Sequence, residues 1–220
     1  VRIAWSPEFA YCIGLIATDG NVSPDGRHIA FVSKDRELVD AFRRGLGVVN
    51  SVGMKGSGTV PKKAYWVVQV GDIGFCAFLR GIGIHPRKTK TIESIAVPDH
   101  FFFDFLRGHF DGDGSFYAYF DRRWRSSYMF YTSFVSASLA HIQWLRREIH
   151  ARCGIQEHIT TSRTSSVYQL KYAKSDSLKL LPKLYYNTDV LCLSRKRNKV
   201  ERGVNLCSNA RVLKLVDRHA

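Results

Sequence analysis

One seven-residue pattern occurs twice in this chain, as Gly14-Leu15-Ile16-Ala17-Thr18-Asp19-Gly20 and as Gly108-His109-Phe110-Asp111-Gly112-Asp113-Gly114. Each copy follows an apolar stretch and runs glycine, three residues, a small residue or threonine, then Asp-Gly. On a helix, Gly14 and Thr18 share one face, as do Gly108 and Gly112. Small residues at this spacing let two helix backbones approach closely, so the two segments can pair with each other. Asp19 and Asp113 would then lie side by side at the C-terminal ends, where the helix dipoles are also negative. Two carboxylates and exposed helix-end carbonyls in one place repel one another unless a cation neutralises them, and a hard divalent metal suits that donor set.

The partner can be narrowed from charge. The 220 residues hold 33 Lys plus Arg against 19 Asp plus Glu, a net charge of +14. Such an excess points to a polyanion. The longest apolar runs, residues 9–17 and 101–110, are too short to cross a bilayer, and Asp104 and Arg107 interrupt the second. No signal peptide is visible, although a start at Val1 leaves an earlier segment open. Cys12, Cys76, Cys153, Cys192 and Cys207 have no paired metal-ligand spacing, so they are expected to be reduced thiols in an intracellular protein, in cytoplasm, nucleoid or organelle matrix, without zinc.

The correspondence of the halves continues beyond the motifs. Phe31-Val32-Ser33 recurs as Phe134-Val135-Ser136. A helix is expected after each triplet, capped by Asp35 and by Ser138, and then a strand in which Trp66, Val68 and Val70, or Tyr168, Leu170 and Tyr172, share one face. Further helices are expected near Asp72 and near Ser175, the second kinked or ended by Pro182. Ser6-Pro7 and Pro98-Asp99 look like the starts of the two motif helices. Basic clusters close both halves, Arg87-Lys88-Thr89-Lys90 and Arg195-Lys196-Arg197-Asn198-Lys199, and their echo favours phosphate contact. The division falls at residues 93–98, giving repeats 1–95 and 96–220.

The motifs at residues 14–20 and 106–114 resemble those of the LAGLIDADG homing endonuclease family in its single-chain, two-motif form. The resemblance implies an α+β fold of two pseudo-symmetric αββαββα repeats, with the motif helices paired at the centre and an antiparallel β-sheet saddle for DNA. It also implies a monomer that binds a long asymmetric double-stranded DNA target and hydrolyses both strands with two or three Mg²⁺ ions, Ca²⁺ being a non-cleaving substitute. Asp19 and Asp113 carry over as the metal-binding acids, with the carbonyls of Thr18 and Gly112 as further ligands. The residues that ring the metals and order water in the family match Lys174, with Lys171 as alternative, and Gln69 or Asp72. Ala17 departs from the family pattern, which often has an acid there, at a position without a metal role.

On such a saddle the DNA-facing candidates are Asn21, Ser23, Arg27, His28, Lys55, Lys62, Lys63 and Gln69 in the first half. In the second they are Tyr117, Tyr119, Arg122, Arg123, Arg125, Arg163, Gln169 and Lys171. Asp111 reads as a peripheral, solvated carboxylate. The rival functions on this scaffold are an intron maturase, with intron RNA as partner, and a transcription regulator. The regulator would bring a helix-turn-helix, for which the residues after Glu201 are too few. Both acids being kept favours the nuclease, since a pure binder has no use for two carboxylates facing phosphate.

Overall fold

In the computed structural model, residues 1–56, 64–123, 127–161 and 166–216 are described, with side chains as far as Cys207. The element order is α1 (Pro7–Thr18), β1 (Gly20–Val22), β2 (His28–Ser33), α2 (Arg36–Leu46), β3 (Val52–Gly56), β4 (Ala64–Gly71) and α3 (Ile73–Gly81), followed by α4 (Phe102–Asp113), β5 (Ser115–Phe120), β6 (Tyr128–Ser136), α5 (Leu139–Cys153), β7 (His158–Thr161), β8 (Tyr168–Tyr172), α6 (Lys174–Leu184) and α7 (Ser194–Val216). The strands form two antiparallel four-stranded sheets, ordered β1-β2-β4-β3 and β5-β6-β8-β7. The two sheets share one topology, and the expected α+β architecture with paired sheets is what the chain adopts.

Helix α1 begins as the sequence indicates: Ser6 Oγ accepts the Phe9 N–H at 3.1 Å and Pro7 occupies the first turn. Every residue from Phe9 to Ala17 is buried, so α1 is a central helix rather than a surface one. It crosses α4 at the glycines. A Cβ on Gly14 would stand 2.1 Å from the Phe105 carbonyl oxygen, and one on Gly108 would stand 2.0 Å from that of Tyr11. Only glycine permits this approach, and it is the approach that brings the two helix ends together.

Each sheet packs its apolar face on the helices. Phe31 is fully buried and stacks on Phe42 of α2, with ring centroids 4.6 Å apart. Its counterpart Phe134 packs against Phe110 of α4 and Tyr172 of β8. The registers agree: Phe31 lies opposite Val68, and Phe134 opposite Leu170. The turns after the two strands are also alike, Ser33 Oγ accepting from Asp35 N–H and Ser136 Oγ from Ser138 N–H, both at 3.1 Å. Gly20 pairs with Phe31, while Ser115 pairs with Ser133, so the second central hairpin is the longer.

Three expectations need correction. Asp35 holds the N-cap position of α2, but its carboxylate makes no capping bond and instead receives Arg195 of α7 through Nε at 2.9 Å and Nη2 at 2.7 Å. Ser138 does cap α5, accepting from His141 N–H. Pro182 lies in the last turn of α6, which runs on for two residues to Leu184 rather than ending at the proline. Asp111 is not solvated: it is 1% exposed, accepting from Tyr11 Oη at 2.9 Å and Leu193 N–H at 2.7 Å. Burial pushes its carboxyl up to about 6. It ties α1, α4 and the entry to α7 together.

Candidate active site at the paired helix ends

The close crossing of α1 and α4 sets the geometry of the site. Where Gly112 passes the end of α1, an added Cβ would meet Thr18 Oγ1 at 2.0 Å and Asp19 Oδ2 at 3.2 Å. The Asp19 carboxylate therefore sits against the last turn of the opposite helix, beside Asp113. Asp19 closes α1, its own N–H returning to Leu15 O at 2.9 Å, and Thr18 Oγ1 donates to the same carbonyl at 3.0 Å. Asp113 is the last residue of α4.

Both acids are exposed residues, and the Asp19 carboxylate has one edge against Gly112. Desolvation, with the nearby charge of Asp113, pushes Asp19 up to about 6, against the opposing pull of Lys196 and Lys88. Desolvation also raises Asp113, again opposed by Lys196 and then Lys88. A carboxyl pair in this condition is short of positive charge even with two lysines beside it.

Those two lysines are the part of the site that the sequence does not single out. Lys88, 6% exposed, donates to the carbonyl of Gly20, the residue after Asp19. Lys196 donates to the carbonyl of Gly114, the residue after Asp113, at 2.7 Å. Its ammonium also lies 2.6, 2.9 and 3.1 Å from the carbonyl oxygens of Phe110, Asp111 and Gly112, at the negative end of α4. Desolvation brings both lysines down to about 8, while the acids pull the other way. The signal was present in the sequence: one lysine in each of the two echoing basic clusters. What the sequence hid is direction, because those clusters are not phosphate grips alone. Arg195 is paired with Asp35, and Arg197 with Glu201 at 2.8 Å.

Residues close to each lysine in the chain cross to the other half. Ser194 N–H donates to Glu37 of α2 at 3.1 Å, and Arg195 holds Asp35. In the mirror position, Ser138 and His141 of α5 reach the carbonyls of Ile92 and Glu93. Each lysine is thus fixed between its own motif and the opposite repeat. A recess of about 440 Å³ opens beside Asp19, lined by Asp35, Tyr65, Gly114, Arg195, Lys196 and Lys199 among others.

The other sequence candidates fall into four groups. Lys174 and Asp72 are not brought to the acids. Lys174 Nζ donates to Tyr128 O at 2.8 Å, five strand residues from Ser133, on the order of 17 Å along β6. Asp72 caps α3 and pairs with the Val1 amino group at 2.5 Å. Asn21, Gln69, Lys55, Tyr117, Tyr119, Gln169 and Lys171 lie by strand register on the open faces of the sheets, while Arg27, His28, Arg122 and Arg123 are exposed at strand or hairpin ends. Lys171 lies over the Tyr131 ring at 4.1 Å. Ser23 is spent on its turn, accepting from Arg27 and His28 N–H and donating to Asp25 at 2.5 Å. Lys62, Lys63, Arg125 and Arg163 lie outside the described residues.

The family model described as "LAGLIDADG-like domain" matches residues 6–83, which run from the cap of α1 through α3. The similarity to this family model covers most of the first half of the chain. The LAGLIDADG fold extends over the rest. The homing endonuclease I-WcaI bound to its DNA recognition sequence superposes with a TM-score of 0.64 at 12% identity, covering 89% of this chain and 88% of that one. The meganuclease I-SmaMI bound to uncleavable DNA gives 0.62 at 11% identity over 97% and 91%. Full-length DUF199/WhiA from Thermatoga maritima gives 0.59 at 15% identity over 99% of this chain and 69% of that one. At these identities the likeness establishes the LAGLIDADG fold. No curated protein sequence matches the chain. Among the described residues, no helix is long and apolar enough to cross a membrane.

Proposed function

We propose that this chain is a site-specific homing-type endonuclease that binds double-stranded DNA across its two sheets and hydrolyses both strands at the paired helix ends. The observation that carries the reading is the meeting of two carboxylates and two lysines, drawn from corresponding places in the two halves. A protein that only grips DNA loses affinity by turning two carboxylates toward phosphate.

The donor set fits Mg²⁺. Among the described residues no three His, Cys, Asp or Glu side chains stand together as a protein-only metal cage. Magnesium ordinarily takes one or two carboxylates and completes its shell with water and substrate phosphate. Asp19 and Asp113 would hold two or three such ions, with the Thr18 and Gly112 carbonyls beside them, and Ca²⁺ would support binding without cleavage. Bound there, the metal supplies Lewis-acid polarisation of the phosphate and a more acidic water. Lys88 and Lys196, still mostly protonated at neutral pH, place positive charge next to the carboxylates, where a phosphodiester gains negative charge as it is attacked. Their bonds to the Gly20 and Gly114 carbonyls fix the ammonium groups before DNA arrives.

The likeness to DUF199/WhiA, a LAGLIDADG protein not named for cleavage, favours one second reading: nucleic-acid binding without hydrolysis, as in a regulator or an intron maturase. The two separate in one experiment. A randomised duplex library is incubated with the protein in Mg²⁺, Ca²⁺ or EDTA, and bound and cut molecules are sequenced. Cuts in both strands at one site in Mg²⁺ alone are expected. Selective binding with no cut in any condition supports the second reading.

A further inference from the structure

The two sheets have the same topology but present different chemistry to whatever lies on them. Aligning Phe31 with Phe134, and their partners Val68 and Leu170, puts the outward positions of the sheets in one-to-one correspondence. Ala30 then corresponds to Ser133 and Val67 to Gln169. Gly53, opposite Val67, corresponds to Thr160, opposite Gln169. Gln69 corresponds to Lys171. At four equivalent points the first sheet is smaller, more apolar or less charged than the second.

The first sheet forms a small methyl-lined strip. Val32 and Val67 are direct cross-strand partners, and Ala30 lies one outward step away, flanked in register by Asn21 and Gln69. All three apolar residues are partly exposed because their sequence neighbours Phe31 and Val68 take the core face. Water gains nothing from this strip, whereas the C5-methyl of thymine packs on such side chains in the major groove. Asn and Gln in turn match the N6 and N7 edge of adenine. On the second sheet Val135 repeats Val32, but Ala30 gives way to Ser133, buried with its hydroxyl on Ser115, and the outward positions carry Gln169, Thr160 and the charge of Lys171. Tyr117 lies opposite Tyr131, and the Lys171 ammonium is held over the Tyr131 ring. Lysine selects the O6 and N7 acceptors of guanine.

Resting on the double-stranded DNA reading above, we infer that the two half-sites of the target differ in composition. The half under the first sheet is A·T-rich, with thymine methyls on Ala30, Val32 and Val67 and adenines on Asn21 and Gln69; the half under the second sheet holds a guanine at Lys171. Ala30, Val67 and Lys171 are then specificity determinants.

The test selects tight-binding duplexes from a randomised library with the whole protein in Ca²⁺, and repeats the selection with Lys171→Ala, which marks the half-site read by the second sheet. The expected site has A·T pairs in one half, and a guanine preference in the other that Lys171→Ala relaxes. Replacing thymines of the A·T half by deoxyuridine removes only the methyl groups, and should weaken binding about fourfold for each methyl in contact. The same exchange in the other half should change nothing. A selected site that is G·C-rich in the half unaffected by Lys171→Ala overturns the inference while leaving the endonuclease reading standing. So does indifference to deoxyuridine there. Failure to select any duplex overturns both.

Discussion

Replacing Asp19 by asparagine should stabilise this protein while removing its proposed activity. In the folded chain the Asp19 carboxyl is raised from 3.8 to about 6, first by desolvation and then by Asp113. A carboxyl whose folded pKa is raised costs stability when ionised. The cost is absent below the unfolded value, grows between 3.8 and about 6, and is constant above that. The full span is worth at most about 3 kcal/mol. The residue keeps an exposed edge, so solvent screening reduces this to about 1–2 kcal/mol. Asparagine keeps the shape without the charge. For a chain of this size, Asp19→Asn should raise the melting temperature by about 3–6 °C near pH 7.5 in EDTA. The assay is a pair of thermal melts, wild type and variant, repeated near pH 3.5, where the carboxyl is protonated in both states and the difference should vanish. Mg²⁺ should then raise the wild-type melting temperature more than that of the variant. An unchanged or lower melting temperature at pH 7.5, or a gain that persists at pH 3.5, would refute the claim that the site is held short of positive charge.

Other expected outcomes follow from the same contacts. Gly14→Ala and Gly108→Ala each place a Cβ about 2 Å from a carbonyl oxygen of the partner helix, so either should cost more than about 3 kcal/mol in urea melts, beyond ordinary overpacking. Arg107 is fully buried, bonded to Asp104 at 2.7 Å, to Leu184 O at 3.0 Å and to Leu191 O at 2.8 Å. Arg107→Ala should therefore cost about 3–5 kcal/mol, whereas Asp104→Asn, which leaves the carbonyl bonds, should cost less. His141 is buried with its pKa lowered to about 4, chiefly by desolvation, and the adjacent His109 is lowered further by the same cause. Their neutral forms stabilise the fold above pH 6.5, and that contribution is lost as pH falls toward 4; the urea midpoint should drop across this window, less steeply in His141→Phe. If Lys196 meets phosphate, Lys196→Gln should lower the salt slope of log affinity by about 0.9, measured by titrating duplex binding against salt.

The helix pair was legible because its cause is local: glycines at four-residue spacing admit one kind of neighbour, and the chain contains two such segments. The strands and the shared register of Phe31 and Phe134 were legible for a similar reason, as alternation and repetition survive in the linear order. The lysines were not. Lys88 and Lys196 stand 69 and 83 residues after the acids they flank, and nothing in a run of basic residues says which one turns inward. Asp111 misled for the related reason that a carboxylate inside a motif looks solvated until Tyr11 and Leu193 are seen to satisfy it. Asp35 was placed correctly as a cap position but not as the partner of Arg195, 160 residues away.

The most direct test of the central claim is strand-resolved cleavage of the selected duplex in Mg²⁺ by the wild type, Asp19→Asn, Asp113→Asn, Lys88→Ala and Lys196→Ala, with binding measured alongside. The account predicts that the wild type cuts both strands. Each acid variant should bind yet lose cutting by at least about a hundredfold, and each lysine variant should bind but cut slowly. Tight binding by all five proteins with no cutting by the wild type, or cutting that survives in either acid variant, would contradict it.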